Sequence, residues 1–165
     1  MKRSLRVLFP LLLVVVGVGL AARPGGAHSR CHSLRAGAGI RASVVTAGCA
    51  SPVGLCTAGQ FHGDSLLSGT TSFVADGLAP AAGLPGVEAP TTLSYSGLIT
   101  ITTCEGTLTT RDTGIFDTAA GLFASRDVVV GGTGRFAGAT GHLFFHGTGT
   151  SSLDSDADGE ICLAP

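Results

Sequence analysis

The fifteen residues from Asp127 to Gly141, Asp-Val-Val-Val-Gly-Gly-Thr-Gly-Arg-Phe-Ala-Gly-Ala-Thr-Gly, constrain the fold of this 165-residue chain more than any other stretch. A β-branched run, Val128 to Val130, enters a glycine-dense turn. In a dinucleotide-binding unit such a turn opens a helix whose N-terminus receives a pyrophosphate. Gly132, Gly134 and Ala137 fit the alanine-tolerant form of that pattern, and Asp154 falls about where a ribose-binding acid would stand. The residues that follow point elsewhere. His142 to Thr150 is aromatic, threonine-rich and interrupted by glycine, which is a strand pattern. Only fifteen residues then remain, too few for the rest of a doubly wound sheet. The turn is therefore expected to join two antiparallel strands.

The rest of the chain agrees with an all-β reading. From Thr91 to Thr103, Leu93, Tyr95, Gly97, Ile99 and Ile101 share one face while Thr92, Ser94, Ser96, Thr100 and Thr102 share the other. A period of two over this length is a half-buried antiparallel strand. Further strands are expected at Ile40–Ala47, Gln60–Gly63, Ser65–Ala75, Gly106–Asp112, Ile115–Asp117, Leu122–Val130 and His142–Thr150. Seven to nine strands and no helix imply a sandwich or a barrel. A barrel is favoured because closure removes edges, and this threonine-rich chain has few charges to guard them. The segment Gly77–Pro90, with Pro80, Pro85 and Pro90, reads as a long loop.

The N-terminus has the pattern of an export signal. Lys2, Arg3 and Arg6 precede the apolar run Val7–Leu20, and small residues follow as far as Ala27, with Ala22 an alternative cleavage point. The run is shorter than the roughly 20 residues of a membrane helix, so no stable membrane anchor is expected after cleavage. The expected organisation is a signal peptide at 1–27, a loose leader at 28–39, a barrel domain at 40–152 and an acidic C-terminal tail at 153–165. The expected location is secreted, periplasmic or otherwise extracytoplasmic. Removing residues 1–27 takes away the only lysine and moves the formal net charge from −1 to −5. Schiff-base and Ser–Lys chemistry are thereby excluded, and nucleic acid is an unfavoured partner for so acidic a chain.

Five cysteines remain: Cys31, Cys49, Cys56, Cys104 and Cys162. In an oxidising compartment they pair, and an odd number leaves at least one over. Cys49 and Cys56 flank a short turn that a local bridge can span. The rival is a bond from Cys162 to Cys49 or Cys56. A catalytic thiol at Cys104 is weighed against a spare cysteine, and the spare is preferred.

Phe116-Asp117 together with Asp127–Gly141 resembles the barrel family of allene oxide cyclases, plant dirigent proteins and small exported bacterial relatives. The resemblance is firm over residues 105–150, thinner over 56–103, and does not extend to the leader or the tail. It implies a calycin-like, eight-stranded antiparallel β-barrel with an apolar cavity, often dimeric or trimeric, so a homo-oligomer is an expected partner state. The enzymes of that family hold a reactive substrate in one shape so that ring closure follows from orientation. No cofactor is implied, and no residue role is carried over. In the motif itself, Gly131, Gly132 and Gly134 suit a tight turn, Arg135 can pair at the rim and Phe136 can plug one end of the barrel.

Three residues are candidate ligand contacts: Tyr95, the only tyrosine, on the apolar face of its strand; Arg126, as an inward charge or a surface ion pair; and His146, as an acid or base. His142 and His146 stand about 13 Å apart on a strand, too far to share one metal. Asp154, Asp156 and Asp158 with Gly159 match the opening of a calcium loop, but Pro165 occupies the place of its final acid, so no metal site is expected. The function expected is the binding of a small hydrophobic molecule inside the barrel. The alternative is a cofactor-free cyclase or isomerase; a filled core would instead mean a structural or interaction role. A cavity of roughly 300 Å³ or more, with convergent polar groups, separates the first two from the third.

Overall fold

The computed structural model describes residues 30–81 and 91–165; the expected signal segment 1–27 and part of the proline-rich loop lie outside them. Nine strands occur among the described residues: β1 (Arg30–Ser33), β2 (Gly39–Val44), β3 (Cys56–His62), β4 (Gly69–Pro80), β5 (Thr92–Thr103), β6 (Gly106–Asp117), β7 (Leu122–Gly132), β8 (Thr140–Gly149) and β9 (Ser152–Leu163). Strands β2 to β9 pair in sequence order, and β9 returns to β2, giving a closed eight-stranded antiparallel barrel. β1 continues the edge that β2 begins. It pairs with the C-terminal part of β9, Arg30 opposite Leu163 and Ser33 opposite Glu160, whereas β2 pairs with the N-terminal part.

The glycine-rich turn joins β7 to β8 through one short 3₁₀ turn, Gly134–Phe136, and opens no α-helix. Gly134 has φ +57°, and a Cβ there would run into the Glu105 carbonyl oxygen, so only glycine fits. Arg135 pairs with Glu105 of the β5–β6 hairpin at 2.5 Å. Phe136 is fully buried. Around it pack Leu67, Ile101, Leu108, Leu143 and Ile161, all 0% exposed, so this end of the barrel is solid. Each such side chain contributes about 1.5–3 kcal/mol of burial. Asp64 fixes the β3–β4 turn at the same end: its Oδ1 accepts the amides of Leu66 (2.8 Å) and Leu67 (3.3 Å), and its Oδ2 lies 2.8 Å from Nε2 of His32 on β1.

The structure differs from the sequence expectation in five places, the first being the strand expected at Gln60–Gly63, which runs instead over Cys56–His62. Residues 153–165 are not a solvated tail, because 152–163 form β9; Leu153, Ser155, Ala157 and Ile161 turn inward while Asp154, Asp156 and Asp158 turn to solvent. The expected leader contributes β1. Residues 65–67 are turn, because Asp64 draws the amides of Leu66 and Leu67 into a cap, and β4 starts at Gly69 and runs on to Pro80. Gly106–Asp117 is one strand, its Thr113-Gly114 interruption being bridged by the β5 and β7 ladders.

Two disulfides form, Cys49–Cys56 and Cys31–Cys162, and Cys104 is unpaired and exposed. The local bridge is as expected. Cys162 does not reach Cys49 or Cys56, because β1 presents Cys31 directly opposite it on β9. Two bridges are compatible with an oxidising, extracytoplasmic environment.

Candidate functional site: an acid pair in the barrel cavity

Opposite the solid end, the barrel interior is hollow. A cavity of about 120 Å³ is bounded by Ile40, Phe73, Tyr95, Phe116, Phe123 and Phe145, among others. Val44, Leu78 and Thr150 also line it and are exposed, so they mark its mouth. The volume falls below the roughly 300 Å³ expected above of a ligand-binding or catalytic barrel, so that size criterion is not met and only a molecule of a few heavy atoms fits.

Two strands turn carboxyls into the barrel interior, and one of them, Asp112, lines the cavity. On β6 the inward residues are Leu108, Thr110, Asp112, Gly114 and Phe116; on β7 they are Phe123, Ser125, Asp127 and Val129. The register sets Asp112 directly opposite Asp127. Both are buried, at 3% and 0% exposure. The chain neighbours Arg111 and Arg126 point outward, so neither neutralises the pair. Arg111 is engaged by Asp76, the extra residue of a bulge in β4, which also accepts a hydrogen bond from Ser96 at 2.8 Å.

The surroundings of the two acids are unequal. Thr110 donates its hydroxyl to Asp127 Oδ2, and Ser125 donates to Oδ1 at 3.4 Å. Asp112 Oδ1 is buried and has no hydrogen-bond partner among the described residues. Burial, then the charge of Asp127, pushes the Asp112 carboxyl up to about 8. Burial also raises Asp127, to about 6, the smaller rise reflecting the donors that stabilise its ionised form. Burial and mutual proximity thus favour a protonated pair, the second proton leaving with more difficulty than the first. Perturbed carboxyls in a cavity are a recurring mark of functional sites.

Tyr95 stands above them on β5. Its ring packs edge-on against Phe73, with centroids 6.0 Å apart. Space for it comes from Gly114, where a Cβ would sit 2.6 Å from the Tyr95 hydroxyl. Burial, and secondarily the Asp112 charge, raises the Tyr95 phenol above its usual range, so it stays a donor. Ser125 lies beside the tyrosine hydroxyl as well as both carboxyls.

Of the three expected ligand contacts, the cavity contains Tyr95 alone. Arg126 and His146 lie on the outer face, Arg126 opposite Phe144 and His146 opposite Asp156, because the pleat that turns Ser125, Asp127 and Phe145 inward turns them out. His142 is on the outer face too, its ring 5.4 Å from that of Phe144. Asp154, Asp156 and Asp158 project outward along an extended strand, which cannot curl around a cation as a calcium loop does. Asp112 and Asp127 escaped the sequence reading although their parity was available: each shares a face with apolar residues of its own strand. No protein-family model, curated protein or solved structure matches this chain.

Proposed function

We propose that this protein is an exported β-barrel, akin to the allene oxide cyclase and dirigent barrels, that binds a small and largely apolar molecule in its interior. The observation that carries this reading is the unpartnered, buried Oδ1 of Asp112, a residue that lines a mainly apolar cavity edged by hydroxyl side chains such as Thr57, Ser125 and Ser155. An unsatisfied buried oxygen costs about 1–3 kcal/mol, which a ligand hydrogen bond recovers. The signal-like N-terminus and the two disulfides support export. Native mass spectrometry of the protein purified from its source tests the reading. A bound small molecule that is lost on filling the cavity by Ser125→Leu supports it; an empty protein that takes up no small apolar compound refutes it.

A second reading, a cofactor-free cyclase or isomerase, is favoured by one feature: two adjacent buried carboxyls, both raised by burial, one of which, Asp112, lines the cavity and can exchange a proton with a bound molecule. On this reading, Asp112→Asn lowers turnover by roughly 10²–10⁴-fold per bound molecule, counted separately from any loss of binding. Product analysis of the co-purified molecule after incubation separates the readings, since a pure binder returns it unchanged.

A further inference from the structure

We infer that the cavity selects a small apolar amine in its ammonium form, held by Asp112 and surrounded by aromatic rings. This rests on the reading of the barrel as a small-molecule binder and assigns the ligand class. Three features of the site converge on it.

The first is the orphaned oxygen. Asp112 lines the cavity and its buried Oδ1 has no hydrogen-bond partner among the described residues, so its complement is a hydrogen-bond donor. Charge is the second. One carboxyl, Asp112, lines the cavity, with Asp127 buried opposite it, and no Lys, Arg or His lines the cavity among the described residues. The titratable groups lining it are Tyr95 and Asp112, both acids; Asp127 is paired opposite Asp112 but is not part of the lining, and Arg111 and Arg126 are on the outer face. The ionisable lining is thus acidic and has no basic group within it, which favours a cation over a carboxylate or phosphate. The third feature is the lining. Phe73, Tyr95, Phe116, Phe123 and Phe145 surround the same space, and aromatic faces bind ammonium groups that are shielded from water. A neutral hydrocarbon would use the rings and leave the oxygen unpartnered, whereas an alcohol would satisfy the oxygen and leave the acidic lining without a cation.

Three probes of matched shape and small volume test this on the mature protein: isobutylamine, isobutanol and isobutyrate. Binding is followed by amide chemical shifts of the cavity-lining strands, which read millimolar affinities. Isobutylammonium is expected to bind at least tenfold more tightly than isobutanol, with no saturable shift from isobutyrate. Asp112 is expected to lose its proton on binding the cation, so calorimetry in buffers of different ionisation heat should show proton release at pH 7. Asp112→Asn, a near-isosteric neutral variant checked for folding by thermal unfolding, should abolish the preference for the amine. The wild-type ranking is decisive even if that variant does not fold. Equal or tighter binding of isobutanol overturns the amine assignment and leaves the small-molecule reading standing. If none of the three probes shifts the cavity residues, both fall.

Discussion

Asp112 and Asp127 make the interior sensitive to pH, and the sign follows from where their protons sit. Both carboxyls titrate higher in the folded chain, to about 8 and about 6, than the ordinary 3.8. The folded state therefore binds more protons than the unfolded one between those limits, and stability falls as pH rises through that window. Asp64 acts in the opposite sense: its hydrogen bonds from His32, Leu66 and Leu67 outweigh its burial and hold it below 3.8, so its contribution is lost as pH falls through that range. Stability should thus be greatest in mildly acidic solution. Thermal unfolding is expected at least about 5 °C lower at pH 9 than at pH 5, and Asp112→Asn should flatten that slope. An unchanged slope in the variant would place the pH dependence elsewhere. At Gly114, an added methyl meets both the Tyr95 ring and the Ala124 carbonyl. Gly114→Ala should destabilise by about 1–3 kcal/mol and displace Tyr95, seen as a changed tyrosine near-ultraviolet circular dichroism signal.

Strands and turns divide the barrel into a solid end and a hollow end. The β7–β8 turn drives Phe136 into the solid end, where its ring is fully enclosed. Phe136→Ala should cost about 3–5 kcal/mol, read as a shift in the denaturant midpoint, while leaving the cavity lining at the opposite end intact. A loss near zero would mean the ring is not a core element. The alternation of Leu93, Tyr95, Gly97, Ile99 and Ile101 made β5 legible from sequence, and the aromatic, threonine-rich chain after Gly141 made the turn legible as a strand connection. β9 was hidden because its outward acids dominate its composition, although Leu153, Ser155, Ala157 and Ile161 carry the same period of two. The acid pair was hidden for a related reason. A carboxyl on an inward face breaks the apolar pattern that reveals the face, and only the register of β6 against β7 shows that two such breaks coincide.

Closure is the property of the whole molecule on which the rest depends. β9 completes the ring by pairing with β8 and β2, and the Cys31–Cys162 bridge ties β1 to its far end across a sequence separation of 131 residues. A crosslink over so long a loop restricts the unfolded chain strongly; paired Cys31→Ser and Cys162→Ser substitutions should cost about 2–5 kcal/mol, more than loss of the short Cys49–Cys56 loop. Equal costs, measured by chemical denaturation, would count against that account. Closure also keeps water from the acid pair, and that dry interior underlies both the raised carboxyls and the proposed ligand. The most direct test is a carbon-13 NMR titration of the aspartate carboxyls in the mature, oxidised protein. Asp112 and Asp127 should titrate above the other aspartates, with reciprocal shifts and one step above neutrality. Two independent titrations near 4 would mean that solvent reaches the pair and that the barrel holds no dry site.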